Sequence, residues 1–186
     1  MLMKSVVVSC LLLLVSVPAM AQDGNFDVAF GYAAANNSGL TGNGWWLSGE
    51  KKISPRVGIV ADVSGQYFSE SVTLLGVTSE AKATGYSFRV GPRVWFPLQD
   101  YERVKPFADL MLGGYHTSVS SSVTGGFLPP EFQLDISDGK TGVAFGIGGG
   151  ADFRLGESIS ARVKPEWGSG VSGFALLMGL VLHLGD

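Results

Sequence analysis

The sequence predicts an all-β chain, an eight-stranded antiparallel up-and-down barrel that crosses a membrane. Three observations carry that prediction. Apolar and polar residues alternate with period two along segments of about ten residues, which marks strands with two unlike faces. Short connections alternate with mostly longer ones rich in Gly, Ser, Thr and Asn. The more apolar parity of each segment is almost free of charge, whereas the opposite parity holds acids and bases in equal number.

The first segment, 25–35, turns Phe26, Val28, Phe30 and Tyr32 to one face and Asp27 to the other. The second, 45–53, sets Trp45 and Leu47 against Glu50 and Lys52, and the third, 57–68, sets Val57, Ile59, Ala61, Val63 and Tyr67 against Asp62. In the fourth, 85–96, the apolar series Tyr86, Phe88, Val90, Pro92, Val94 and Phe96 is interleaved with Arg89 and Arg93. Pro92 lacks the donor that a ladder needs, and a bulge around Gly91 is expected to accommodate it. The fifth, 104–115, opposes Ala108, Leu110 and Leu112 to Asp109, and the sixth, 142–154, opposes Val143, Phe145, Ile147 and Phe153 to Asp152 and Arg154. The seventh, 159–168, carries Ile159, Ala161, Val163 and Trp167 against Arg162, Lys164 and Glu166. The eighth, 174–184, carries Phe174, Leu176, Met178, Leu180 and Leu182, with His183 on the polar parity.

The connections 54–56, 97–103, 155–158 and 169–173 are short, while 36–44, 69–84 and 116–141 are long. An even strand count with tight turns on one side and longer loops on the other belongs to outer-membrane barrels. Aromatic residues of the apolar parity gather at the segment ends, with Tyr32, Trp45, Tyr67, Tyr86, Trp167 and Phe174 beside the loops and Phe26, Phe96 and Phe153 beside the turns. These are expected as two membrane girdles. The opposite parity is then a lumen, and Asp27, Glu50, Lys52, Asp62, Arg89, Arg93, Asp109, Asp152, Arg154, Arg162, Lys164 and Glu166 are its predicted charge network. Eight strands enclose a space only wide enough for side chains, so those charges are expected to pair and plug it.

The first residues combine one base, Lys4, an apolar run from Val6 to Val17 and the small-residue site Ala19-Met20-Ala21. This predicts a cleaved signal peptide over 1–21 and a barrel domain over 22–186. The 165 residues left carry 12 Lys+Arg against 16 Asp+Glu and no cysteine, which excludes disulfides and thiolate metal sites and gives nucleic acid nothing to bind. The run Phe174–Leu182 is too short for a helix across a bilayer, so any crossing is by strands.

From "NFDVAFGYA" through "YSFRVGPRVWFP" and "VKPFADLMLGG" to the last strand, the chain resembles the small outer-membrane β-barrel proteins of the OmpA/OmpX type. The resemblance implies an envelope-stabilising, adhesive or small-pore role, contact with outer-membrane lipid and lipopolysaccharide, insertion by the barrel-assembly machinery, and a monomer. The chain departs from that pattern at its last residues, "HLGD", where such barrels finish on an aromatic.

Three motifs compete with a purely structural reading. "GIGGGA", 146–151, has the spacing of a dinucleotide fingerprint, but strand and turn follow it instead of the required helix. Its glycines are expected to make room in the lumen. His116 and Ser118 share a face, Glu131 follows, and the trio resembles the lipid A 3-O-deacylases, although Val119 stands where that family has Asn. His183 is expected to be a hydrogen-bonding lumen group. The function expected is a non-enzymatic scaffold with surface loops, mainly 69–84 and 116–141, with a small pore as the alternative. No metal or cofactor is expected, and a secreted soluble ligand carrier is disfavoured by the girdles.

Overall fold

The computed structural model describes residues 26–37, 40–74, 77–98, 103–125 and 135–184. The expected signal segment, 1–21, lies outside them. Eight strands follow one another: β1 Phe26–Asn37, β2 Leu40–Ser54, β3 Val57–Leu74, β4 Val77–Trp95, β5 Val104–Gly125, β6 Asp135–Arg154, β7 Ile159–Gly168 and β8 Phe174–Leu184. Each pairs antiparallel with the next, and β8 returns to β1, closing the barrel. At the closure Gly31 lies opposite Gly179, and a Cβ on Gly31 would stand 2.0 Å from the Met178 carbonyl oxygen. The two strands meet there because neither residue has a side chain.

The predicted faces are the observed ones. Phe30, Leu47, Ile59, Phe88, Leu110, Ile147, Phe174 and Leu180 are exposed on the outer wall, whereas Asp62, Arg93, Asp109, Arg162 and Lys164 are buried inside.

Strand lengths differ from the sequence reading. The expected loops 36–44, 69–84 and 116–141 are largely strand, because β3 and β4 stay paired to Leu74↔Val77 and β5 and β6 to Ser122↔Asp135. Hydrophobic alternation ends where both faces become wet, but β-branched pairs such as Thr73 and Thr78, hydroxyl to hydroxyl at 3.0 Å, continue the ladder. The consequence is a four-stranded sheet, β3–β6, that runs past the rest of the barrel. Its two sides are open: the β2–β3 ladder stops at Gly42↔Phe68, and the β6–β7 ladder starts only at Gly146↔Gly168. Residues 69–74 of β3 and 135–144 of β6 therefore have one strand neighbour each among the described residues.

Pro92 does not create the expected bulge. The β4–β5 ladder passes from Val90↔Leu112 to Arg93↔Asp109 with the two intervening pairs missing and the register unchanged. Backbones instead approach so closely that a Cβ on Gly91 would stand 1.8 Å from the Leu110 carbonyl oxygen. The register shift among the described residues of the neighbouring β2–β3 pair is at Lys52/Ser54.

Candidate functional site

In the lumen, four bases and five acids form one connected set of ion pairs. Arg93 donates from Nη1 to Glu50 at 2.9 Å and from Nη2 to Asp109 at 2.7 Å. Lys164 reaches Asp62 at 3.0 Å, Asp109 at 3.3 Å and Glu166 at 3.0 Å. Arg89 donates to Glu166, and Arg162 grips Asp152 with two bonds of 2.7 and 2.8 Å. Phe107 lies between the two central arginines, its ring centre 4.1 Å from the Arg93 guanidinium carbon and 4.9 Å from that of Arg162. The Trp95 indole N–H donates to Glu50 at 2.6 Å.

Small residues supply the room these side chains need. A Cβ on Gly146 would stand 2.6 Å from Arg89 Nη1, and one on Gly148 2.6 Å from Asp109 Oδ1. The "GIGGGA" glycines thus serve the lumen, on a strand with no helix after it.

A buried apolar cluster, with Ala29, Ala33, Trp46, Phe68, Leu177 and Val181 among its members, fills another side of the lumen. The β7–β8 connection tucks Val171 into this cluster. Gly170 turns the chain inward with φ 110°, a left-handed conformation that glycine adopts without strain. Asn37 Nδ2 then donates to the Val171 carbonyl at 3.0 Å. Val171 and Phe68 help to line a cup of about 360 Å³ that opens toward the projecting sheet.

A closed eight-stranded barrel with a charged, filled lumen and an apolar outer wall is the geometry against which known proteins are to be compared. The family model described as "Outer membrane protein beta-barrel domain" matches residues 7–165. This chain belongs to that family. Among solved structures, it is similar to the attachment invasion locus protein Ail of Yersinia pestis in complex with the heparin analogue sucrose octasulfate. That match has 15% identity and a TM-score of 0.54, over 85% of this chain and 95% of that one. It is also similar to Neisserial surface protein A, with 16% identity and a TM-score of 0.51, over 86% and 97% of the two chains. At these identities the likeness is one of fold. No curated protein sequence matches this chain.

In this outer-membrane barrel the predicted charged residues divide three ways. Glu50, Asp62, Arg89, Arg93, Asp109, Asp152, Arg162, Lys164 and Glu166 make the connected set. Asp27 and Lys52 form a separate pair at 2.9 Å near the strand ends. Arg154 corrects the sequence reading: its parity is inward, but it ends β6, stays exposed, and donates to the Gly156 and Glu157 carbonyls of the following turn at 3.1 and 3.5 Å. Parity fixes a side and not a depth, so a strand-end base reaches water.

Of the aromatic residues predicted beside the loops, Tyr32, Trp45, Tyr67, Tyr86, Trp167 and Phe174 are exposed on the outer wall, as are Phe96 and Phe153 at the opposite end, with Phe26 half-buried.

His116 Nδ1 pairs with Thr141 Oγ1 at 2.9 Å, across the β5–β6 ladder, and Glu131 lies outside the described residues. A different contact escaped the sequence reading: His183 lies between Asp27 and Ser160 at the turn end of the lumen. Those residues come from β8, β1 and β7, and only closure of the barrel brings them together.

Proposed function

We propose that this protein is a scaffold of the outer membrane whose projecting β3–β6 sheet binds extended polypeptide segments of other proteins at the cell surface. The observation that carries this reading is the pair of open sheet edges, residues 69–74 and 135–144, which lie on the long-hairpin side of the barrel. Unpaired strand edges recruit further strands through main-chain hydrogen bonds. Short turns are periplasmic in barrels of this kind and long hairpins extracellular, which puts both edges outside the cell.

The filled lumen favours a scaffold over a small pore. Within the same reading, the outer wall contacts lipid and lipopolysaccharide, the aromatic residues at its two ends form the interfacial girdles, the barrel-assembly machinery inserts the chain, and the barrel works as a monomer. Ail is known with a heparin analogue, but the charged residues of this projecting sheet are Glu70, Glu80, Asp135 and Asp138 against Lys82 and Lys140, a poor match for a polyanion.

Ser69 faces Lys82 across the β3–β4 ladder and Tyr115 faces Gly142 across the β5–β6 ladder, so residues 70–81 and 116–141 can each be replaced by Asn-Gly, a two-residue hairpin turn, which removes both edges. The shortened barrel should still fold, as heat-modifiable gel migration reports, while bacteria displaying it should lose binding to protein-coated surfaces. Undiminished binding by the shortened form would sink the proposal. Protease added to intact cells should cut wild type between Gly125 and Asp135 and spare the turns at 54–56 and 155–158, which checks the orientation.

A further inference from the structure

The residues at the turn end of the lumen form a row across five neighbouring strands: Lys52 on β2, Asp27 on β1, His183 on β8, Ser160 on β7 and Arg154 on β6. Lys52 Nζ lies 2.9 Å from Asp27 Oδ2, Asp27 Oδ1 2.8 Å from His183 Nδ1, and His183 Nε2 2.9 Å from Ser160 Oγ. Arg154 is the direct cross-strand partner of Ser160, on the flank away from His183. An ionised carboxylate only accepts, so Nδ1 of the neutral ring must carry its proton, and Nε2 is left bare to accept the Ser160 hydroxyl. That is the hydrogen-bond order of a serine nucleophile, its base and the carboxylate that orients the base. Asp27 and Ser160 are each 3% exposed, while the His183 side chain is 14% exposed and the Lys52 side chain 30%.

We propose that Ser160 and His183 form an acyl-transfer site at the periplasmic mouth of the barrel, with Asp27 and Lys52 as positioning residues. The site is separate from the surface role above and departs from the expectation of a chain without catalysis. Ser160 Oγ attacks the ester carbonyl carbon while its proton passes to His183 Nε2. The carbon–oxygen bond to the leaving group breaks, His183 returns the proton to the departing alkoxide, and the acyl group stays on Ser160. Water repeats the attack through His183 and releases the acid. With cations at both ends of the row, the substrate class is a small acyl ester, an anionic one by preference.

The test uses the full-length protein folded in detergent, with a fluorophosphonate reagent as probe and p-nitrophenyl acetate as substrate. The expected result is a phosphonate mapped by mass spectrometry to Ser160. Ser160→Ala should lose that label and the esterase rate. His183→Gln should slow labelling by about 100-fold or more, and Asp27→Asn should slow it as well, with Asp27→Glu recovering part of the rate. Gel migration of each variant checks that the barrel has folded. An unlabelled Ser160 in folded wild type, or equal labelling rates in wild type and folded His183→Gln, would overturn the proposal.

Discussion

Replacing Arg93 by alanine should destabilise the folded barrel by about 3–5 kcal/mol, the cost of removing one partner of a buried ion pair. Arg93 is fully buried and holds Glu50 and Asp109 with separate nitrogens. Without it, Asp109 keeps only the longer 3.3 Å contact to Lys164, and Glu50 keeps Trp95 and a 3.8 Å contact to Arg162. The connected set already has more acids than bases, so the loss leaves negative charge unmatched where water is scarce. Arg89→Ala should cost less, because Glu166 would retain Lys164 at 3.0 Å. Urea unfolding in lipid vesicles gives both values. A smaller loss for Arg93 than for Arg89 would mean that the set does not act as the plug. In planar bilayers wild type should show no steady conductance and the Arg93 variant open-state noise, whereas large stable openings in wild type would make the pore the better function.

Why the two faces were legible follows from the environment. A strand with lipid on one side and a closed lumen on the other must keep charges on one parity for its whole membrane crossing, so Arg89 and Arg93 declare the inside of β4 without any partner being known. The partners were not legible, because parity gives no height along the barrel axis. Asp109 meets Arg93 on the adjacent strand but also Lys164 on β7, two strands away, and that meeting depends on the stagger of the whole barrel. Arg154 failed for the same reason: correct side, wrong depth. The projecting sheet was invisible to hydrophobic alternation, since Ser, Thr and Gly on both faces read as loop. Asp27, Ser160 and His183 come together only when the last strand pairs with the first, and nothing in their local sequences signals it.

Leu110→Arg tests the outside of the same barrel. Leu110 sits mid-strand on β5, 50% exposed, beside Ile147 of β6. If that surface is in lipid, an arginine there costs about 2–4 kcal/mol, the penalty near a bilayer midplane. If the same surface were in water, the exchange would stay within about 0.5 kcal/mol, as surface substitutions do. The matching change inside is Ser64→Ala, which removes a buried 2.8 Å hydroxyl contact with Ser87 and should cost about 0.5–1.5 kcal/mol, the net worth of one hydrogen bond. Unfolding in vesicles should therefore rank Leu110→Arg as the more damaging of the two. The reverse ranking would place lipid against the wrong face, since only a wall in hydrocarbon penalises a charge there more than the lumen penalises a lost hydroxyl.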